Sequence, residues 1–286
     1  MDEITYTIYD VAGLDVDRIR LLVHVALEPD NALTFSSAVV RKDGRGIVLE
    51  RVFNEWVTSM WQSPSGRIFA ASMAGNIHTA VQDTWNMTNL GERVFLNNIW
   101  GLNDDHVYCC GMDGVLLARV GGAWSRAEGL RGDLIRIGGT AENDLYILGE
   151  KGTIFHFNGS RWSALDSPTN RKLVYLLCVS KDLVYVCGRS GTLFRGSGNR
   201  WEQVRGYDSN LYSLVQFKNR IFVGAGLEGV LEVHGNEVVP FRKDTVAYGL
   251  QVIGDRLFAF GDTRMDEFDG QLWSRESFNF GSVIGQ

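Results

Sequence analysis

A segment of about 38 residues recurs along the chain, and it narrows the possible folds more than any other feature. Its clearest copy, NDLYILGEKGTIFHFNGSRW at residues 143–162, reads as two short strands, a glycine turn between them, and a closing Gly-x-x-Trp. Related segments stand at 66–85, 105–124, 181–201, 219–238 and 255–273. Their last column holds Trp85, Trp124, Trp162, Trp201, Val238 and Trp273, in steps of 39, 38, 39, 37 and 35 residues. An aromatic column runs upstream of it: Phe69, Tyr108, Tyr146, Tyr185, Phe222 and Phe258. Three residues after each of these comes Ser72, Gly111, Gly149, Gly188, Ala225 or Gly261.

An isolated hairpin cannot bury its apolar face, so each copy must pack on something. A further apolar strand precedes it, as in NNIWG (97–101), LIRIGG (134–139), VYLLCV (174–179) and YSLVQF (212–217). A fourth strand follows the Trp, as in WSRAEGL and WEQVRG. Four strands per 38 residues is the period of a propeller blade. Stepping back one period from Trp85 reaches Ile47, where VVRKDGRGI (39–47) aligns with IFHFNGSRW (154–162). In that first unit RLLVHVA (20–26) is expected as inner strand and ALTFSS (32–37) as second strand. The expectation is an all-β fold: a seven-bladed β-propeller of four-stranded antiparallel blades, one domain over 1–286. The blades fall at about 18–52, 57–90, 95–130, 133–166, 172–205, 210–241 and 246–278. The leftover ITYTIYD (4–10) is expected to add an edge strand beside the last blade and close the ring. Six blades with a separate N-terminal segment is the alternative count. A solenoid would show a shorter period, and a sandwich would not repeat its sequence.

Units such as NDLYILGEKGTIFHFNGSRW resemble those of bacterial propeller repeat proteins of the YCF48-like, Kelch-like and BNR-like kinds. The resemblance covers 57–278 well and 18–56 weakly. It implies an architecture used for binding scaffolds and assembly factors, and less often for enzymes. Neither the Gly-His…Trp-Asp pairing of WD40 repeats nor the Asp box of sialidases recurs here.

The Trp column suits blade-against-blade packing better than ligand stacking, since Val238 and Ile47 can replace Trp only in a packing role. Net charge is −6 and pI about 5.4, which argues against nucleic acid or an anionic membrane as partner. No apolar run approaches a membrane span, and the acidic MDEITYTIYD start lacks the features of a secretory signal. Cys109, Cys110, Cys178 and Cys187 lie in apolar runs and read as buried free thiols of a cytoplasmic protein, with a Cys178–Cys187 disulfide as the alternative. The five histidines stand at unrelated registers, and no HExxH, GxSxG or phosphate-binding loop occurs, so neither metal, cofactor nor catalytic residue is expected.

One pattern points to function. The segments entering the inner strands carry Arg93, Arg131, Arg171, Lys172, Arg242 and Lys243; the turns between second and third strands carry Lys151, Arg189 and Arg264. In a propeller both sets ring one mouth of the channel. Trp56, Phe95 and Tyr207 lie among them as aromatic anchors. The expectation is a non-catalytic, monomeric propeller that docks a protein with an acidic surface, such as an immunity protein neutralising a toxin. The alternatives are a hydrolase or lyase acting on a saccharide or small molecule at the channel mouth, and a scaffold within a larger assembly. The enzyme reading requires carboxylates, His or Arg converging from at least three blades.

Overall fold

A computed structural model describes residues 3–28, 34–90 and 94–285. Twenty-eight strands form seven four-stranded antiparallel sheets, each made from four consecutive strands. The sheets span 3–53, 57–89, 96–127, 134–164, 173–203, 213–242 and 249–277, numbered here as blades 1 to 7. The first strand of each blade touches the first strands of both neighbours, so seven inner strands surround a central channel.

The core lies between the blades. Seven clusters of buried apolar side chains are found among the described residues, and each joins two adjacent blades. The two sequence columns supply opposite sides of these interfaces. Phe69, Tyr108, Tyr146, Tyr185, Phe222 and Phe258 are buried against the following blade. Ile47, Trp85, Trp124, Trp162, Trp201, Val238 and Trp273 pack against the preceding one. The Trp column is therefore a packing device. All four cysteines are free; Cys178 pairs with Val184 and Cys187 with Tyr175 in the ladder, so the two thiols are not cross-strand neighbours.

Blade 1 corrects the sequence reading. The 4–10 segment is no added edge strand on blade 7. It belongs to Glu3–Asp15, the innermost strand of blade 1, antiparallel to Arg18–Glu28. Every other strand of this blade moves one place outward: 20–26 lies in the second strand, and 32–47 is divided between a third strand, Thr34–Asp43, and a fourth that starts at Gly46. Ser37, expected at the end of the second strand, is buried inside the third, and its hydroxyl accepts the Val57 N–H at 2.9 Å. Gly13 sits inside the long first strand beside a register shift. The true connection between second and third strands lies at 29–33, outside the described residues.

The ring closes without strand exchange, since blade 7 is built from 249–277 alone. Blades 1 and 7 meet through Ile8, Val11, Ile19, Leu21 and Val40 on one side and Phe258, Phe260, Phe278 and Phe280 on the other. Phe280 is 1% exposed and leads into a short helix, Gly281–Ile284, whose Ile284 joins the same cluster. The Ile8 N–H donates to the Asp262 carbonyl at 2.9 Å, and Lys42 pairs with Glu276 at 3.2 Å.

Candidate functional site

The mouth of the channel is built from tight turns that lean on the segments entering the inner strands. In blades 3, 4 and 5 the second and third strands are joined by Met112–Val115, Glu150–Thr153 and Arg189–Thr192, each closed by an i→i+3 backbone bond of 3.1 to 3.2 Å. The central pairs Asp113–Gly114, Lys151–Gly152 and Ser190–Gly191 all have positive φ, as a two-residue hairpin turn of primed type requires. The turns then bond the entering segments: Gly114 N–H to Gly132 O at 2.7 Å, Glu150 N–H to Asp133 O at 3.0 Å, Gly191 N–H to Ser209 O at 2.7 Å. Backbone bonding thus ties the turns of blades 3, 4 and 5 to the segments beside them.

Most of the sequence candidates do share this face. Arg131, Lys151, Arg171, Lys172, Arg189 and Lys243 are exposed on it, with Arg171 donating to the Ser190 carbonyl at 2.9 Å. Phe95 is 46% exposed while its carbonyl accepts the Met112 N–H. Tyr207 donates its hydroxyl to Glu228, and burial with that carboxylate pushes the phenol up to about 12. Arg242 and Arg264 are engaged already. Arg242 pairs with Asp244 at 2.6 Å and lies over the Trp273 ring, while Arg264 is held by Asp262, its Nε at 2.8 Å. Arg93 lies outside the described residues. The same turns carry Glu55, Asp113, Asp133, Glu150, Asp208, Glu228, Asp244 and Asp262. The cations are interleaved with acids, so the face is charged with both signs.

Its clearest chemical signature is aromatic, and the sequence reading found only part of it. Among the described residues the exposed large apolar aromatics are Tyr9, Phe35, Phe95 and Tyr248, and all four rim this mouth. Trp56 joins them in a stack: Tyr9 on His24 at 4.0 Å, His24 on Trp56 at 3.8 Å, Phe35 edge-on to Trp56 at 4.7 Å. His24 holds the stack by donating Nε2–H to the Val57 carbonyl at 2.7 Å. Burial lowers its pKa to about 4, so at neutral pH the ring is uncharged. Opposite, Tyr212 and Tyr248 meet edge-to-face at 4.8 Å.

Below the rim the channel narrows. An upper cavity of about 590 Å³ and a lower one of about 360 Å³ meet at Asp10, Ser59, Asn98, Arg136 and Tyr175. The last four recur at steps of 39, 38 and 39 residues, one per inner strand. Their even spacing is present in the sequence, inside apolar runs such as LIRIGG, but the sequence does not show that this face meets the channel. These side chains also stitch blade to blade. Asp10 accepts the Met60 N–H at 2.9 Å, Asn98 donates to Ser59 at 2.9 Å, and Asn98 accepts the Ile137 N–H at 3.0 Å. Burial raises the pKa of Asp10 against the opposing pull of two backbone N–H groups and the Arg136 charge. The waist brings together one carboxyl group, Asp10, and one guanidinium, Arg136, from two blades. Among the described residues no group of three His, Cys, Asp or Glu is placed to hold a metal ion, and no helix is long and apolar enough to cross a membrane.

No family model matches the chain. A stretch of 144 residues is 30% identical to Immune protein Tsi7 of Pseudomonas aeruginosa, covering 49% of this chain and 47% of that protein. The chain thus matches about half the length of this curated relative. Among solved structures, YCF48 bound to D1 peptide superposes with a TM-score of 0.68 at 12% identity, over 97% of this chain and 95% of that one. The WD40 β-propeller domain of Doa1 superposes at 0.66 with 11% identity, over 91% and 92%. The chain is a β-propeller repeat protein.

Proposed function

We propose that this propeller is a non-catalytic binding protein of the cytoplasm that docks a protein partner on its turn-bearing mouth, and that the partner is a toxin it neutralises. The observation that carries the docking face is the aromatic rim, exposed Tyr9, Phe35, Phe95 and Tyr248 with half-buried Trp56 stacked among them, held by ring contacts and backbone bonds. Exposed aromatics ringed by charge are the usual anchors of a recognition surface, because they bury much area at little entropic cost. The mixed charges around them, with Arg131, Lys151, Arg189 and Lys243 exposed, suit selective pairing with a partner that offers acids against them. The similarity to a protein named as an immune protein supports the toxin reading, and the likeness to a propeller solved with a bound peptide is in keeping with protein recognition.

The test is affinity capture of the full chain from its source cell, followed by co-expression with the captured protein. One partner should be retained in a 1:1 complex, and cells producing it should survive only when the propeller is present. Trp56→Ala with Phe95→Ala should abolish both effects without altering the circular dichroism of the propeller. Absence of any retained protein, or full protection by the double variant, would overturn the reading. Retention of several subunits at once would favour the scaffold alternative.

A further inference from the structure

We infer that the channel waist is a binding site for a small zwitterion of the α-amino-acid class carrying an aromatic or aliphatic side chain. Arg136 extends from the inner strand of blade 4, and its Cζ sits 3.4 Å from the centroid of the Tyr175 ring. Among the described residues its guanidinium has no hydrogen-bond or ion-pair partner. Five N–H donors in a planar fork are therefore oriented by the ring and left open to the cavity. Asp10, from the inner strand of blade 1, is oriented just as firmly: Oδ1 accepts the Val11 N–H and Oδ2 the Met60 N–H, both at 2.9 Å. Each oxygen keeps a further lone pair for an incoming donor.

The Arg136 charge opposes the rise that burial imposes on the Asp10 pKa, yet no ion pair joins the two. A protein that needed only structural neutralisation would bring them together, since a charge removed from bulk water is costly unless paired. Held apart, they ask for a molecule that carries a carboxylate at one end and an ammonium at the other. The carboxylate takes the Arg136 fork and the ammonium takes Asp10, with the Ser59 and Asn98 side chains beside them. Above this pair the upper cavity is walled by Tyr9, Tyr212, Tyr248 and Phe260, which gives an apolar side chain a place to lie. The volume of about 590 Å³ is in the range of small-molecule sites. This site goes beyond the docking surface: it shares Tyr9 and Tyr248 with the rim, but its charged groups, Asp10 and Arg136, lie below it at the waist.

Isothermal titration of the full chain with L-phenylalanine, L-leucine and glycine tests it. L-Phenylalanine or L-leucine should bind 1:1 and more tightly than glycine. L-Phenylalaninamide and N-acetyl-L-phenylalanine, each lacking one charge, should bind at least about tenfold more weakly, the loss expected when one buried charge is left unpaired. Arg136→Gln and Asp10→Asn should each reduce L-phenylalanine affinity by a similar factor, and Leu272→Ala, at an exposed position outside both cavities, should leave it unchanged. The blocked ligands on the unaltered protein decide the matter even if a waist variant fails to fold. No binding of either apolar amino acid up to about 10 mM, a concentration beyond any useful affinity, overturns the inference. So does equal binding of the blocked derivatives, or unchanged binding in both waist variants.

Discussion

Gly191 meets two demands at once. Its φ is +63°, and a Cβ there would collide with the Tyr207 carbonyl of the segment entering blade 6. Gly198 has nearly the same φ, +55°, with open space around it. Gly198→Ala should cost only the conformational penalty of about 1 kcal/mol, while Gly191→Ala should cost about 2–4 kcal/mol because the turn must also move off its neighbour. Urea midpoints of the two variants measure the difference. Two further residues set the acid limit of stability. Glu55 accepts hydrogen bonds from Ser72 at 2.6 Å and Asn76 at 3.0 Å and meets His78 Nε2 at 2.6 Å. Although burial pulls the other way, these contacts with His78, Ser72 and Asn76 lower its pKa from 4.5 to about 2. Its folded pKa is below its unfolded one, so its contribution is complete above about pH 4.5 and lost as pH falls toward 2. His24 is depressed from 6.5 to about 4 by burial, so stability also falls as pH drops from 6.5 to 4. Denaturation profiles should show Glu55→Gln flattening the lower window and His24→Phe the upper one.

At the scale of the strand, the interface columns make a ranked prediction. Trp201 packs on the blade 4 side of its interface and donates Nε1–H to the Gly198 carbonyl at 2.9 Å. Trp201→Ala should cost about 3 kcal/mol, at the lower end for aromatic truncation because the ring is only partly buried. Trp201→Val should cost less, since blade 6 fills the same column with Val238. Calorimetric unfolding of both gives the order, and an equal loss would deny the column its packing role. These columns explain why blades 2 to 7 were legible: one residue type serves one interface and recurs with it. Blade 1 lacks the Trp and its strands are longer, up to 13 residues in Glu3–Asp15, so the period alone could not place them. The misplacement had a functional cost. Tyr9, Asp10 and Phe35 all belong to blade 1, and without its true inner strand neither the aromatic rim nor the waist could be assembled. Arg136 and Asn98 were in view as letters of recognised strands, but which face of a strand meets a channel is decided by the closed ring.

For the molecule as a whole, the seventh interface differs from the other six. It joins the first blade to the last, and the chain beyond blade 7 contributes Phe278, Phe280 and Ile284 to it. Phe280→Ala removes a side chain that is 1% exposed and should cost about 3–5 kcal/mol. Hydrogen exchange should then rise first in Glu3–Asp15 and in blade 7, and only later in blade 4. Uniform exchange around the ring would contradict this. A control at Leu272, 74% exposed, should change stability by no more than about 0.5 kcal/mol.

Because every blade is a single uninterrupted run of chain, the ring has no topologically privileged starting point. A gene rearranged to begin at the segment before Leu173, with the original ends joined by a short flexible linker, would encode the same seven sheets in the same spatial order. Such a circular permutant would make the blade 7 to blade 1 junction covalent and leave the blade 4 to blade 5 interface to be closed by non-covalent contacts alone. It offers a way to engineer new fusion points on this disc without redesigning a single strand.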